Sequence, residues 1–318
     1  MDATRPADPR PTVGRLAPSP TGGLHVGHAR TFLIAWLAAR SAGGRVVLRI
    51  EDIDATRVRP DAAETAIADL RWLGLDWDEG PYAQSERLDA YRQALERLKR
   101  DERVYPCTCT RAEIARAASA PHAEDEGPSY PGTCSGRSAA DAARLGGRPF
   151  AWRFRVPEGE IAWDDLFRGP TSADPARHGG DFLVARSPFA PSYQLAVVVD
   201  DAAMGVTQVV RGADLVASTP RQILLDRALG GSGRRYGHVP LVVGPDGRRL
   251  AKRDGSIRLE TLRMRGVDPR DLIGWAARSC GWSDRVEPSS PADWVGRFDP
   301  AAIPARACPF DPGDFGVG

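Results

Sequence analysis

The amino-acid sequence predicts an α/β fold built around a parallel sheet, and the pattern near its start carries that prediction. An apolar, strand-like run at 13–17 is followed by a Gly-rich loop, a helical pattern at 26–41 and a second strand-like run at 45–50. Strand, helix and strand in this order form a βαβ unit, in which the two strands lie parallel. A chain of 318 residues also has room for about two or three domains, each with its own core.

The remaining elements follow from apolar periodicity and from the Gly and Pro residues that interrupt it. Helical spacing predicts helices at 61–73, 86–102, 219–229, 260–264 and 269–279. Alternating apolar residues predict a small antiparallel sheet from 150–156, 161–166 and 182–184. Continuous apolar runs predict buried strands at 195–199, 206–210 and 239–243.

Shifts in composition divide the chain into five segments. The Pro-, Asp- and Arg-rich segment 1–12 is expected to be a disordered leader. The α/β domain has two halves, 13–104 and 186–255, and an inserted α+β subdomain with three cysteines occupies 105–185. A short helical region, 256–318, follows and completes the predicted organisation.

Charge and cysteine content exclude several classes of protein. The formal net charge is +1, so any contact with nucleic acid must come from a local basic patch rather than from overall charge. No apolar stretch approaches bilayer length and no secretion signal opens the chain, which predicts a cytoplasmic protein without a membrane partner. Five cysteines, three of them between 107 and 134, favour a metal site or reduced thiols over a disulfide framework. We expect a monomer.

The segment 17–28 reads Ala-Pro-Ser-Pro-Thr-Gly-Gly-Leu-His-Val-Gly-His and joins the first strand to the first helix. Gly22 and Gly23 allow a close approach of the backbone to a ligand, and the helix that follows offers unpaired N–H groups to an anion. His25 and His28 are three residues apart, so both side chains can face one ligand. A phosphate-binding loop is predicted, with an ordinary strand-to-helix loop as the alternative.

Two further polar segments lie where they could complete such a site. Glu51, Asp52 and Asp54 follow the second strand, at the edge where open α/β sheets bind ligands. The basic run 249–253, Arg-Leu-Ala-Lys-Arg, follows the apolar run 239–243 and a Gly-Pro-Asp-Gly turn. The alternative is that neither segment binds a ligand. The acidic residues would then be helix caps or solvated loop charges, and the basic run would be solvated surface.

Together these segments resemble the signatures of class I aminoacyl-tRNA synthetases, in the form found in the glutamyl and glutaminyl branch. Segment 17–28 resembles the HIGH signature, and Arg-Ile-Glu-Asp-Ile-Asp at 49–54 resembles the R-x-E-D-x-D motif. The run 249–253 resembles KMSKS with Lys252 at its second lysine, although Arg249 and Ala251 depart from that pattern. The resemblance extends from residue 13 to about 281 and implies a Rossmann-like class I synthetase catalytic domain that uses ATP with Mg²⁺.

The same resemblance implies roles for individual residues. Catalysis and ATP binding fall to His25, Gly27, His28 and Lys252. L-Glutamate binding falls to Arg15, Ala17, Ser19, Glu51, Tyr193 and Arg211. Among these, Glu51 is expected to receive the α-ammonium, and Arg15 and Arg211 to receive carboxylates, which arginine recognises with a two-pronged set of donors. A pocket that leaves polar groups unpaired with glutamine can reject it by about 10⁴-fold, whereas one methylene is worth only about 1–3 kcal/mol.

The clustered cysteines predict a structural zinc site. Cys107, Cys109 and Cys134 supply three thiolates, and one further ligand completes a tetrahedral Zn²⁺. The pattern C-x-C followed by Y-x₃-C resembles that of glutamyl-queuosine tRNA(Asp) synthetases, which implies Tyr130 as the fourth ligand. His122 is the alternative.

The resemblance also implies a function. After Lys252 only 66 residues remain (318 − 252), fewer than the anticodon-binding half of a standard glutamyl-tRNA synthetase requires. The glutamyl-queuosine family activates glutamate with ATP without needing tRNA, then transfers it to queuosine at the wobble position of tRNA(Asp). The alternatives are a glutamyl-tRNA synthetase acting on a tRNA 3′ end, a non-catalytic RNA-binding relative and a nucleotidyltransferase acting on a small metabolite.

Overall fold

The computed structural model describes residues 9–117, 129–187, 189–248 and 258–315. Several predictions fall outside these residues: most of the leader, the alternative zinc ligand His122, and the KMSKS-like residues Arg249 and Lys252. The described strands are β1 Val13–Leu16, β2 Arg45–Ile50, β3 Glu79–Ala83, β4 Val104–Cys107, β5 Ala151–Phe154, β6 Ile161–Asp165, β7 Gly169–Ala173, β8 Phe182–Arg186, β9 Ala190–Pro191, β10 Gln208–Gly212, β11 Arg235–Val239, β12 Val242–Val243 and β13 Cys308–Pro309. The described α-helices are α1 Val26–Arg40, α2 Ala62–Trp72, α3 Leu88–Arg100, α4 Arg111–Ala117, α5 Tyr193–Ala203, α6 Thr219–Ala228, α7 Leu259–Met264 and α8 Pro269–Ser279.

Parallel strands form the centre of the molecule, as the opening βαβ pattern predicts. β2 pairs in parallel with β1 and β3, and β10 pairs in parallel with β11. β1 and β10 lie side by side, since the Thr207 N–H donates to the Val13 carbonyl at 3.0 Å and the Val13 N–H donates to Thr207 Oγ1 at 2.9 Å. The carboxyl ends of β1, β2 and β10 therefore open on the same side, and the α/β prediction is confirmed.

Helix α1 lies in the core and sets the geometry of the loop before it. Most of its residues from Val26 to Ala39 are buried, because it packs against β1 and β10 on one side and against α8 on the other. The chain then turns back into β2 past Gly44, where a Cβ would lie 2.3 Å from the Thr12 carbonyl oxygen. Only glycine fits this contact, so the turn directs β2 alongside β1.

The inserted region contributes to two sheets rather than one. β4, β5, β8 and β9 form an antiparallel sheet, which confirms the prediction for 150–156 and 182–184 but not for 161–166. The β6–β7 hairpin instead joins the parallel sheet, where Asp165 of β6 is paired with Tyr236 of β11. The Asp165 carboxylate accepts the backbone N–H of His238 at 3.1 Å, a long-range contact that alternation along the chain does not encode.

One predicted strand is wrong. Residues 195–199 belong to helix α5, which begins after Ser192, whose hydroxyl accepts the Leu195 N–H at 3.4 Å. The apolar residues of this helix lie between α3 and α6. The run 195–199 therefore lacks the polar residues at helical spacing that would have predicted a helix. The strand predicted at 239–243 divides into the end of β11 and the short β12, which flank Pro240.

The C-terminal part is helical, as predicted, and covers α1. Helix α8 has the predicted bounds, 269–279, and its buried Trp275 packs edge-on against Phe310 at 4.9 Å between ring centroids. β12 and β13 pair in parallel and bring this part of the chain back to the main domain. None of the helices among the described residues combines the length and apolar character needed to cross a bilayer.

Candidate active site

A cleft of about 670 Å³ lies at the carboxyl ends of β1, β2 and β10. It brings together residues from four separate parts of the sequence that were predicted to share one site. The predicted site residues that line it are Arg15, Ala17, Ser19, His25, Gly27, His28, Glu51, Tyr193 and Arg211. Residues that the sequence analysis assigned no role line it as well, among them Arg59, Asp214 and Arg258.

The two histidines are oriented by the first turn of α1. Nδ1 of His25 accepts the Gly27 N–H, and Nδ1 of His28 accepts the His25 N–H, both at 3.1 Å. A neutral imidazole whose Nδ1 accepts must carry its proton on Nε2, so each ring has an Nε2–H donor. The positive end of the α1 dipole lies at the same place, and this end of the cleft therefore suits an anion.

Glu51 is a buried carboxylate held by a buried cation. The Arg49 guanidinium donates to Glu51 Oε1 at 3.0 Å and to Asp201 Oδ1 at 2.6 Å. Burial raises the pKa of Glu51, although the neighbouring Arg49 and Arg15 lower it. No described residue donates a hydrogen bond to the other oxygen of Glu51, Oε2, which leaves it available to a cationic ligand in the cleft.

Arg15 carries one buried donor group that the described residues do not satisfy. It is 6% exposed, and one terminal nitrogen donates to the Val210 carbonyl at 2.6 Å. Its Nε has no hydrogen-bond partner, and burial lowers its pKa. A buried donor without a partner is costly, and a carboxylate arriving in the cleft could relieve that cost.

Arg211 is held by hydrogen bonds from several directions. Nε donates to His238 Nε2 at 3.1 Å and Nη1 donates to Gln222 Oε1 at 2.7 Å. Nη2 donates to Thr219 Oγ1 at 2.8 Å and to the Leu215 carbonyl at 3.2 Å. Since arginine has five N–H donors and these bonds use four, the expectation of a two-pronged contact from Arg211 does not fit this geometry. The guanidinium offers a fixed positive charge and one N–H.

Sequence reasoning missed the residues that hold the predicted ones in place. Asp201 is 2% exposed and stands at the end of the apolar run that was taken for a strand, so its contact with Arg49 could not be anticipated. Tyr193 begins the same helix, and burial raises the pKa of its phenol. An acidic residue at the end of an apolar run can indicate a buried ion pair, because buried carboxylates are almost always paired.

The chain that follows the KMSKS-like run returns to the histidine end of the cleft. Arg258 forms an isolated antiparallel bridge with His25, and the Leu259 N–H donates to the Leu24 carbonyl at 2.8 Å. Val242, shortly before the run, also lines the cleft. Lys252 lies outside the described residues, and its role remains a prediction.

The cysteines form a separate cluster in the inserted region. The Sγ atoms of Cys107, Cys109 and Cys134 lie within 4.8 Å of one another. The Tyr130 hydroxyl accepts the Cys134 N–H at 2.8 Å and lies 3.3 Å from Cys107 Sγ. Burial opposes ionisation of Cys134, but hydrogen bonds from Thr108 and Tyr130 lower its pKa to about 7. Three thiols and a phenol at these distances fit a tetrahedral zinc ion.

The comparisons with known proteins agree with the fold. The model of the family "tRNA synthetases class I (E and Q), catalytic domain" matches residues 12–288. The glutamyl-Q tRNA(Asp) synthetase of Symbiobacterium thermophilum is 53% identical over 92% of this chain and 93% of its own length. That of Nitratidesulfovibrio vulgaris is 50% identical over 92% and 94%.

Longer relatives match as well. Glutamate–tRNA ligase 1 of Coxiella burnetii is 41% identical over 94% of this chain and 63% of its own length. The crystal structure of the glutamate-tRNA synthetase from Elizabethkingia anophelis has a TM-score of 0.82 at 27% identity, covering 96% of this chain and 69% of that one. This chain therefore belongs to the class I tRNA synthetases of the E and Q branch, in the group that includes the glutamyl-Q tRNA(Asp) synthetases, and is a ligase.

Proposed function

We propose that this enzyme activates L-glutamate with ATP without requiring tRNA and transfers the glutamyl group to queuosine at the wobble position of tRNA(Asp). The observation that carries the first half is a single cleft with an anion-binding helix end on one side and a buried acid with two buried arginines on the other. The relatives named glutamyl-Q tRNA(Asp) synthetases, matched over nearly their whole length, support the second half.

In the activation step, the α-carboxylate of glutamate attacks the α-phosphorus of ATP in line, and pyrophosphate leaves as glutamyl-adenylate forms. His25 and His28 donate Nε2–H groups to the phosphates beside the α1 N-terminus, and Gly27 keeps that approach open. Lys252 adds positive charge as the leaving group departs. When bound with ATP, Mg²⁺ would neutralise part of the phosphate charge. Catalysis here is positioning and charge stabilisation, without a covalent enzyme intermediate.

Glutamate is held by complementary charges. Glu51 Oε2 receives the α-ammonium, while Arg15 and Arg211 attract the side-chain carboxylate, with Tyr193 beside them. Ala17 and Ser19 lie along the same wall of the cleft. Because Arg15 brings a buried donor without a partner, an uncharged glutamine amide would satisfy the site less well than a carboxylate.

In the transfer step, a hydroxyl of the queuosine cyclopentenediol attacks the carbonyl carbon of glutamyl-adenylate. AMP leaves, and the hydroxyl proton passes to solvent. The product is an ester on the modified base rather than on the tRNA 3′ end. The anticodon loop of tRNA(Asp) must therefore reach the cleft.

We also propose that the cysteine cluster binds one structural zinc ion, with Tyr130 as the fourth ligand. The position of its hydroxyl between Cys107 Sγ and the Cys134 N–H supports this choice. Burial raises the pKa of Tyr130 well above the usual phenol value, so the charge of the metal would have to stabilise the phenolate.

Two measurements on the full chain test the function. Glutamate-dependent exchange of pyrophosphate into ATP should occur without tRNA, and its absence would contradict the activation step. Radiolabelled glutamate should then be transferred to tRNA(Asp) that contains queuosine and not to the same tRNA lacking it. Prior oxidation of the queuosine diol with periodate should abolish transfer. Charging of tRNA(Glu) instead would favour a standard glutamyl-tRNA synthetase.

A further inference from the structure

His238 contacts the proposed glutamate-binding machinery but carries none of the roles assigned above. It lies on β11, is fully buried, and its ring stacks on Tyr236 with the planes 6° apart. Its Nε2 accepts from Arg211 Nε at 3.1 Å, and Thr219 Oγ1 lies 3.0 Å from the same nitrogen. An imidazole in this position bonds directly to the cation that faces the cleft.

The donor of Arg211 decides where the proton of His238 resides. A guanidinium only donates, so Nε2 of His238 must be unprotonated to accept from it. The ring proton then lies on Nδ1 and is donated to Asp165 Oδ2, a direct contact in the structure. Burial and the nearby Arg211 lower the pKa of His238, in keeping with a neutral ring.

Asp165 is itself held in one orientation by the backbone. Its Oδ1 accepts the N–H groups of Phe167 at 3.1 Å, Arg168 at 3.3 Å and His238 at 3.1 Å. Burial opposes its ionisation, but the hydrogen bonds from His238 hold its pKa below the usual value. Asp165 therefore stays charged and presents Oδ2 to the imidazole.

We infer that Asp165 and His238 form a positioning relay, in which the carboxylate fixes the Nδ1–H tautomer of the imidazole and the imidazole fixes the Arg211 guanidinium for the side-chain carboxylate of the amino acid. The inference rests on the proposed function, because it assumes that Arg211 faces that carboxylate. It gives the inserted region a part in amino-acid specificity, since Asp165 ends β6 of that region.

Asp165→Asn separates this relay from simple packing. The three backbone donors hold the amide oxygen at the place of Oδ1, so the amide NH₂ faces His238 Nδ1. Nδ1 of His238 must then accept a hydrogen bond, so the ring proton moves to Nε2. The Nε2–H of His238 would then point at the Nε–H of Arg211, and the hydrogen bond between them would be lost. Loss of a buried hydrogen bond of this kind is expected to raise KM for glutamate about 10- to 100-fold in pyrophosphate exchange, with KM for ATP changed less than about threefold. Asp164→Asn, one residue earlier on β6, is the matched control and should leave both constants unchanged.

Substitutions of His238 provide the second test. His238→Leu removes the acceptor and is expected to raise KM for glutamate by a similar factor. His238→Gln keeps an oxygen that can accept from Arg211 and should remain within about fivefold of the wild type. Equal losses in both variants would give His238 a packing role only and overturn the relay.

A measurement on the wild-type protein tests the tautomer directly and does not depend on activity. Nitrogen-15 NMR of labelled histidine, with the His238 signals assigned by their loss in His238→Gln, should show the proton on Nδ1. A proton on Nε2, or a charged ring at neutral pH, would overturn the inference. Glutamate-dependent exchange with an unchanged KM in Asp165→Asn would overturn the relay alone, whereas a wild type without glutamate-dependent exchange would overturn the proposed function and the relay with it.

Discussion

Replacing Glu51 by glutamine is the sharpest test of how the cleft binds an amino acid. Arg49 donates to Glu51 Oε1, so the amide oxygen of the introduced glutamine would take that place and its NH₂ group would face the cleft. The proposed acceptor for the α-ammonium would become a donor. The fold should survive, since Arg49 keeps its contact with Asp201 at 2.6 Å.

The size of the effect follows from the burial of this carboxylate, whose side chain is 8% exposed. Breaking one partner of a buried, hydrogen-bonded charge pair costs roughly 2–4 kcal/mol. At about 1.4 kcal/mol per factor of ten, KM for glutamate should rise roughly 30- to 700-fold. KM for ATP should change little, because the proposed mechanism gives Glu51 no part in holding the phosphates.

The assay is glutamate-dependent pyrophosphate exchange with each substrate varied in turn, and Asp54→Asn is the matched control. Asp54 belongs to the same acidic run, but its side chain is 53% exposed. This control should stay within about twofold of the wild type, as surface charges contribute little. A Glu51→Gln variant that keeps its melting temperature and whose KM for glutamate stays within about threefold would refute the assignment.

The pH dependence gives the same test a second readout. Binding of the ammonium needs the ionised carboxylate, and burial raises the pKa of Glu51. Affinity for glutamate in the wild type should therefore fall on acidification at a higher pH than an exposed glutamate would titrate. Glu51→Gln should lose this dependence, and persistence of the same profile in the variant would show that another group titrates.

Further variants test other parts of the structure. Gly27→Ala places a Cβ 2.9 Å from His25 Cε1, so the imidazole ring must move. The rate of pyrophosphate exchange should then fall about tenfold or more. An unchanged rate would show that His25 does not take part in phosphate binding. Cys134→Ser should lower the zinc content, measured by atomic emission, from about one ion per chain and should reduce the melting temperature. The control Cys308→Ser should retain its zinc. Full zinc content in Cys134→Ser would contradict the ligand set. Burial raises the pKa of Asp69 to about 6. The folded state therefore binds the carboxyl proton more tightly than the unfolded state does, and the free energy of unfolding should decrease as pH rises from about 4 to about 7. In denaturant titrations, the free energy of unfolding of Asp69→Asn should vary less with pH than that of the wild type. An identical pH dependence would show that Asp69 does not cause it.

Local patterns were sufficient to predict the parts of the fold and the site that depend on near neighbours in sequence. The βαβ unit, the loop before α1 and the acidic run after β2 all lie within the first 54 residues. Carboxyl ends of parallel strands meet at one edge, so the order of these elements already places His25 and Glu51 near each other. The roles of His25 and Glu51 follow from the resemblance and stay predictions.

Local patterns failed where burial on all sides removed the periodic signal or where contacts were distant in sequence. Residues 195–199 carry no polar residue to mark a helical period, so helix and strand could not be distinguished. The two-pronged contact expected of Arg211 neglected Thr219, Gln222 and His238, which reach it from α6 and β11.

The sequence by itself determined the class of fold, the loop proposed to bind phosphates and the residue types around one crevice. Each of these depends on short-range spacing and on the chemistry of single side chains. The tertiary structure decided which oxygen of Glu51 bonds to Arg49, how many donors of Arg211 the described residues occupy and that Asp165 of the inserted region reaches His238. Those outcomes depend on hydrogen bonds between residues up to 152 positions apart, and a buried donor or acceptor is defined only once the partners from other elements surround it.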